Sequence, residues 1–155
     1  MNTTSRILGE ATRPPTSLEL SDPCMAYRYA RLVIKGRFPE GETAIATDPH
    51  WAYNYALHII EDEFPEGEAA IATDPYYAYV YAMDIIERHF LEGEAAIATD
   101  PDWAYQYAKY VIKGRFPEAE EAIAKDPTRS KDYLEAFPDA KIEWYAREWI
   151  DWTKL

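Results

Sequence analysis

Residues 48–73 read DPHWAYNYALHIIEDEFPEGEAAIAT, and this stretch decides the fold. Asp48-Pro49 is a helix start: an aspartate carboxylate accepts free first-turn N–H groups, and proline at the first helical position loses nothing. Ala52, Tyr55, Ala56, Ile59 and Ile60 then recur at three- and four-residue steps, the period of an amphipathic helix. At 100° per residue the apolar sector spans roughly 200°, with Trp51 and Tyr53 at its edges. His50, Asn54 and His58 fall on the remainder. A helix apolar over more than half its circumference needs cover on two or three sides, which neighbouring units can supply. Phe64-Pro65 opens a second, shorter helix. There Glu66 and Glu68 lie where the helix dipole favours negative charge, and Ala70, Ile71 and Ala72 form a small apolar face.

Working outward, Asp-Pro recurs at Asp22-Pro23, Asp48-Pro49, Asp74-Pro75, Asp100-Pro101 and Asp126-Pro127, each step 26 residues with no insertion. Such fixed-period similarity signals a repeat architecture. The expected fold is all-α, a short α-solenoid of four helix-pair repeats (22–47, 48–73, 74–99, 100–125), with long helices near 23–35, 49–61, 75–87 and 101–113. Gly36 and Gly114 read as helix ends in repeats one and four, with Asp62 and Arg88 in their place in repeats two and three. Ala26, Ala52, Ala78 and Ala104 form one column of small residues, and Ala30, Ala56, Ala82 and Ala108 another, letting helices approach closely. Tyr29, Tyr55, Tyr81 and Tyr107 fill the space beside them; a ladder of tyrosines also suits base stacking, but the buried sector and the acidity favour core packing. Terminal units of an array need polar outer faces. Residues 1–21, with Leu18 and Leu20 where a short helix would fall, read as an N-terminal cap. Residues 126–155 read as a C-terminal cap: Thr128, Arg129, Ser130 and Lys131 break the pattern, and Phe137-Pro138 begins another helix carrying Ile142, Trp144, Tyr145, Trp149, Ile150 and Trp152.

The 155 residues carry a formal net charge of −12 and are 48% hydrophobic, enough apolar matter for one packed domain. Acidity of that size opposes direct binding to nucleic acid or to an anionic membrane face. Cys24 is the only cysteine, which leaves no internal disulfide and no cysteine metal cluster. With no apolar run suited to a signal or a membrane span, the expected setting is cytoplasmic.

The charge is uneven. Residues 48–73 carry −6 and residues 74–99 carry −4, so the two central repeats hold ten of the twelve net charges. Lys35-Gly36-Arg37 and Lys113-Gly114-Arg115 flank the array, whereas the same position reads Glu61-Asp62-Glu63 and Glu87-Arg88-His89 in the centre. A solvated face is the plain account of those acids. A change confined to one repeat position in the middle is also how a recognition patch on a repeat scaffold would look. Glu61, Asp62, Glu63, Glu66, Glu68, Asp84, Glu87, Glu92 and Glu94 are the candidate partner-binding residues.

Signals of chemistry are missing. His50 and His58 stand eight residues apart on one helix, too far to share a metal unaided, and His89 is elsewhere. The Glu-x-Glu pairs recur in every repeat, whereas a catalytic pair need occur once. No phosphate loop, nucleophile elbow or Cys/His arrangement is present. No cofactor or metal is expected, and the chain reads as non-catalytic. The string FPEGEAAIATDPYYAYVYA at 64–82 resembles tandem repeats of uncharacterised bacteriophage and large-DNA-virus proteins, over residues 22–127. The layout is similar in kind to TPR and Sel1-like helix pairs, with a shorter period and without their signature residues. The phage resemblance implies an inhibitor acting in the host cytoplasm, of the anti-restriction or anti-CRISPR kind, some of which imitate DNA phosphates. Its expected partner is a protein with a basic surface, a nucleic-acid-binding host defence protein being the analogy's example. The competing readings are an assembly scaffold, and a small-ligand protein or enzyme with a site between repeats.

Overall fold

The computed structural model describes residues 14–140 and 142. Its described elements are helices joined by turns, the all-α helical-repeat fold that the 26-residue period predicts. The chain divides into two compact units, Met1–Ile71 and Ala72–Leu155. The first holds α1 (Ser17–Ser21), α2 (Pro23–Tyr29), α3 (Pro39–Ile45), α4 (Pro49–Tyr55) and α5 (Pro65–Ile71). The second holds α6 (Pro75–Asp84), α7 (Leu91–Ile97), α8 (Pro101–Tyr107), α9 (Glu120–Ala124) and α10 (Pro127–Ala136). Within each unit, successive long helices pack side by side, α2 on α4 and α6 on α8, and each short helix lies against the long helix before it.

The aspartates cap as expected. Oδ1 of Asp22, Asp48 and Asp126 accepts the N–H of Met25, Trp51 and Arg129 at 2.8, 3.0 and 2.8 Å. Asp74 and Asp100 each accept two first-turn N–H groups. Every one is followed by proline at the first helical position, and each such cap is worth about 1 kcal/mol.

The core is built in columns. Tyr55, Tyr81, Tyr107 and Tyr133, Phe38, Phe64, Phe90 and Phe116, and Ile45, Ile71, Ile97 and Ile123 are the largest fully buried side chains. Both alanine columns are wholly buried. The tyrosine rings are therefore packing elements and present no faces to bases. Glycine completes the contact inside the first three repeats: a Cβ on Gly67 would stand 2.5 Å from Phe64 Cδ1 and 2.9 Å from Ala52 Cβ, and Gly93 is equally crowded by Phe90 and Ala78. The fourth repeat has Ala119 at this position. There the first turn tightens to a 3₁₀ turn, Pro117–Ala119, before α9 begins. Gly67→Ala is accordingly expected to destabilise the protein by about 1–3 kcal/mol, because the ring of Phe64 or the α4–α5 spacing must yield. A thermal melt unchanged from wild type would refute the close-contact account.

Both caps depart from their sequence reading. α1 lies where a short helix was expected, but Leu18 and Leu20 are 60% and 36% exposed, and Glu19 is the buried residue. Register explains this, since position 19 is one period before Ile45. The Glu19 carboxylate accepts the N–H of Thr16 at 2.6 Å and its hydroxyl at 2.9 Å, so a polar group closes the isoleucine column. At the other end the pattern does not fail after Asp126-Pro127. α10 keeps the register: Tyr133 fills the tyrosine column, and buried Ser130 stands in the alanine column with its hydroxyl donating to the Ile123 carbonyl at 2.9 Å. Phe137-Pro138 begins a turn and not a helix, with Ala140 N–H on the Phe137 carbonyl at 3.0 Å. Ile142 is buried; Trp144, Tyr145, Trp149, Ile150 and Trp152 lie outside the described residues.

Candidate functional site: the acidic turns and the carboxylates beneath them

Each long helix runs into a turn that has to reverse direction within about five residues. In repeats one, two and four the helix first widens to a π turn, Ala30–Ile34, Ala56–Ile60 and Ala108–Ile112. Lys35, Glu61 and Lys113 then adopt left-handed backbone, their N–H groups reaching back to the carbonyls of Ala30, Ala56 and Ala108. Repeat three keeps a straight α6, and Glu87 takes the same left-handed conformation. The four φ values are 57°, 56°, 48° and 56°. This corrects the expectation about Gly36 and Gly114: the left-handed residue is one position earlier in all four repeats, and no glycine among the described residues has positive φ.

The same left-handed position therefore carries opposite charge. Where repeats one and four place Lys35 and Lys113, repeats two and three place Glu61 and Glu87. In the first unit Glu61, Asp62 and Glu66 are exposed, and Asp62 Oδ1 holds the turn by accepting Glu63 N–H at 2.8 Å. In the second unit Asp84, Glu87 and Glu92 are exposed. These six match the sequence expectation of a displayed acidic surface, three in each unit.

Glu63, Glu68 and Glu94 are only half exposed, and the geometry of Glu94 shows what its position does. Its Oε1 accepts the Tyr107 hydroxyl at 2.9 Å, and the same hydroxyl accepts the Phe90 N–H at 2.8 Å. His89 Nδ1 stands 3.3 Å from that carboxylate. The arrangement repeats as Glu42–Tyr55–Phe38, at 2.9 and 2.6 Å, and as Glu120–Tyr133–Phe116, at 3.2 and 2.6 Å. In those two an arginine replaces His89: Arg37 grips Glu42 with Nε and Nη2 at 2.6 and 3.1 Å, and Arg115 grips Glu120 at 2.8 Å through both. One carboxylate, one phenol and one backbone N–H thus tie α3 to α4, α7 to α8 and α9 to α10. Burial is the main reason the phenols resist ionisation, raising Tyr55 and Tyr107 strongly and pushing Tyr133 up to about 12.

Glu94 is consequently part of the scaffold, and Glu68 occupies the corresponding position in repeat two. Glu63 sits at the position of Arg37, His89 and Arg115, so this repeat has an acid where the others have arginine or histidine beside the glutamate. The links through Glu42 and Glu120 were missed from sequence: every short helix carries two first-turn glutamates, at 40, 66, 92 and 118 and at 42, 68, 94 and 120, and the spacing alone does not say that the second set reaches the phenols. Among the described residues no group of three or more His, Cys, Asp or Glu side chains is placed to hold a metal, and no helix is long and apolar enough to cross a membrane.

Fold and turns together define an all-α helical-repeat protein with variable charge on an invariant turn. Comparison with protein-family models, with curated proteins and with solved structures finds no match.

Proposed function

We propose that this is a non-catalytic protein-binding repeat scaffold whose central acidic turns capture a partner with a basic surface and sequester it. The observation that carries this reading is the charge exchange at one left-handed position of the repeat: Lys35 and Lys113 against Glu61 and Glu87. Glu61 and Glu87 do nothing for the fold that lysine does not do in the flanking repeats, so their sign is free to serve recognition. Glu61, Asp62 and Glu66 in the first unit and Asp84, Glu87 and Glu92 in the second are the residues assigned to it. Its narrower form, suggested by the phage-repeat likeness, is an inhibitor whose carboxylates stand in for DNA phosphates.

The test is capture of partners from host lysate by wild type and by the triple reversal Glu61→Lys, Asp62→Lys, Glu66→Lys. Exposed charges contribute about 0–1 kcal/mol per pair to folding but govern association and partner choice. The reversal is expected to abolish capture with little change in melting temperature. Wild-type capture should fade with added salt, since screening acts over roughly 8–10 Å at physiological strength. Lys113→Glu in a flanking repeat should leave capture intact. Equal loss from both variants, or capture indifferent to the central reversal, refutes the assignment. Competition by duplex DNA separates the DNA-mimic form from the general one.

A further inference from the structure

A second surface feature, independent of the acidic turns, lies between α8 and α10 in the second unit. Tyr105, Lys109, Asp132, Glu135 and Ala136 line an open groove of about 380 Å³. Tyr105 forms its aromatic lining and is only 8% exposed. The Lys109 ammonium sits on the α8 side, 3.1 Å from the Tyr105 hydroxyl and 5.3 and 5.4 Å from the ring centres of Tyr105 and Tyr110. The α10 side carries Asp132 and Glu135.

Neighbouring charges neutralise each other, but these two ends do not. Arg129 lies 5.8 Å from the Tyr105 ring centre and is taken up by Asp102 and by Asp132, the latter at 2.9 Å. Lys109, by contrast, has no carboxylate within ion-pair reach among the described residues; tyrosine hydroxyls and rings are its company. An ammonium has three donors, so Lys109 keeps donors to offer. Glu135 is exposed and has no cation on it among the described residues. A simple anion entering the groove meets Asp132 and Glu135, and a simple cation meets Lys109. A molecule bearing both charges satisfies both walls. The volume equals that of roughly a dozen waters and falls in the range of small-ligand sites.

We propose that the α8–α10 groove binds a short zwitterionic peptide, its carboxylate on Lys109 and its free ammonium on Glu135, with the body of the peptide along Tyr105 and Ala136. The ligand class follows from the two opposed charges and the space between them. Capture of chain termini by such charges is a recurrent mode of peptide recognition.

Titration of the ¹⁵N-labelled full chain with the dipeptide Ala-Leu tests it, in four forms: both ends free, N-acetylated, C-amidated and doubly blocked. The free form is expected to shift the amides of residues 105, 109, 132, 135 and 136 saturably, with Kd at or below about 1 mM. Blocking either end should weaken binding about tenfold, the effect of losing one charge contact. Lys109→Met should erase the preference for the free carboxylate, and Glu135→Gln the preference for the free amine. Both side chains are at the surface, and circular dichroism melts check that the variants fold. Equal binding of the doubly blocked form overturns the proposal, as does the absence of saturable shifts at these residues. The blocked-peptide comparison uses wild type alone, so it decides the matter even if a variant misfolds. A negative result here leaves the acidic-turn reading untouched, because no residue is shared.

Discussion

Raising the pH through about 10 to 12 is expected to unfold this protein steeply, the contribution of its buried phenols being constant below that window. Tyr133 ionises at about 12 in the folded chain, whereas a solvated phenol does so near about 10. Burial is the leading cause, and the adjoining Glu120 adds to it. Tyr55 and Tyr107 are raised further by burial, with Glu42 and Glu94 reinforcing the effect. The folded state thus holds these protons more tightly than the unfolded one. Their contribution is fully present below the unfolded pKa and is lost as the pH climbs toward the folded values. Each group gives up about 1 kcal/mol per pH unit across the window, so three acting together remove several kcal/mol from a total of about 5–15. Urea unfolding at intervals between about pH 9 and 11.5 measures the slope as protons released. Tyr107→Phe should lower that slope by one proton. A flat profile would mean that the hydroxyls are open to water and that the ties described for Glu42, Glu94 and Glu120 do not form.

Much of the fold is legible in the sequence because its rules are local. Asp followed by Pro caps a helix whatever lies around it, and all five such pairs do so. The alanine and tyrosine columns follow from a period with no insertions. Polarity proved a poorer guide than size at the ends. Ser130 reads as a break in the pattern, yet it is nearly as small as alanine, and its hydroxyl finds the Ile123 carbonyl. Leu18 and Leu20 read as the apolar residues of the N-terminal cap, yet register turns Glu19 between them inward, and the Thr16 N–H and hydroxyl satisfy it. The reversal at Lys35, Glu61, Glu87 and Lys113 was not legible, since glycine is the ordinary signal of left-handed backbone and in repeats one and four it stands one residue later. Counting charges by region found Glu61, Asp62, Glu66, Asp84, Glu87 and Glu92 at the surface. It did not distinguish Glu94, because a carboxylate held by a buried phenol carries the same formal charge as one in water.

That distinction makes Tyr107 the most informative single position. Tyr107→Phe keeps the ring against Phe116, 5.4 Å between centroids, and removes only the hydroxyl. The Phe90 N–H then loses its acceptor in a buried setting, and Glu94 loses a donor while keeping His89 nearby. Leaving a buried donor unmatched costs about 1–3 kcal/mol, against about 1 kcal/mol for an ordinary exchange with water. Tyr107→Ala also empties the space of a wholly buried ring, for which about 3–5 kcal/mol is typical of large aromatic deletions. Tyr110→Phe, at a ring 48% exposed, should be nearly silent. Chemical denaturation of the three variants should therefore rank Tyr107→Ala well below Tyr107→Phe, with Tyr110→Phe close to wild type. Glu94→Gln supplies the complementary measurement, because the amide oxygen still accepts from the phenol but forms no ion pair with a protonated His89. If Tyr107→Phe were as stable as wild type while Tyr107→Ala unfolded, the column would be held by ring packing alone. Glu94 would then return to the surface acids as a residue whose charge the fold does not use.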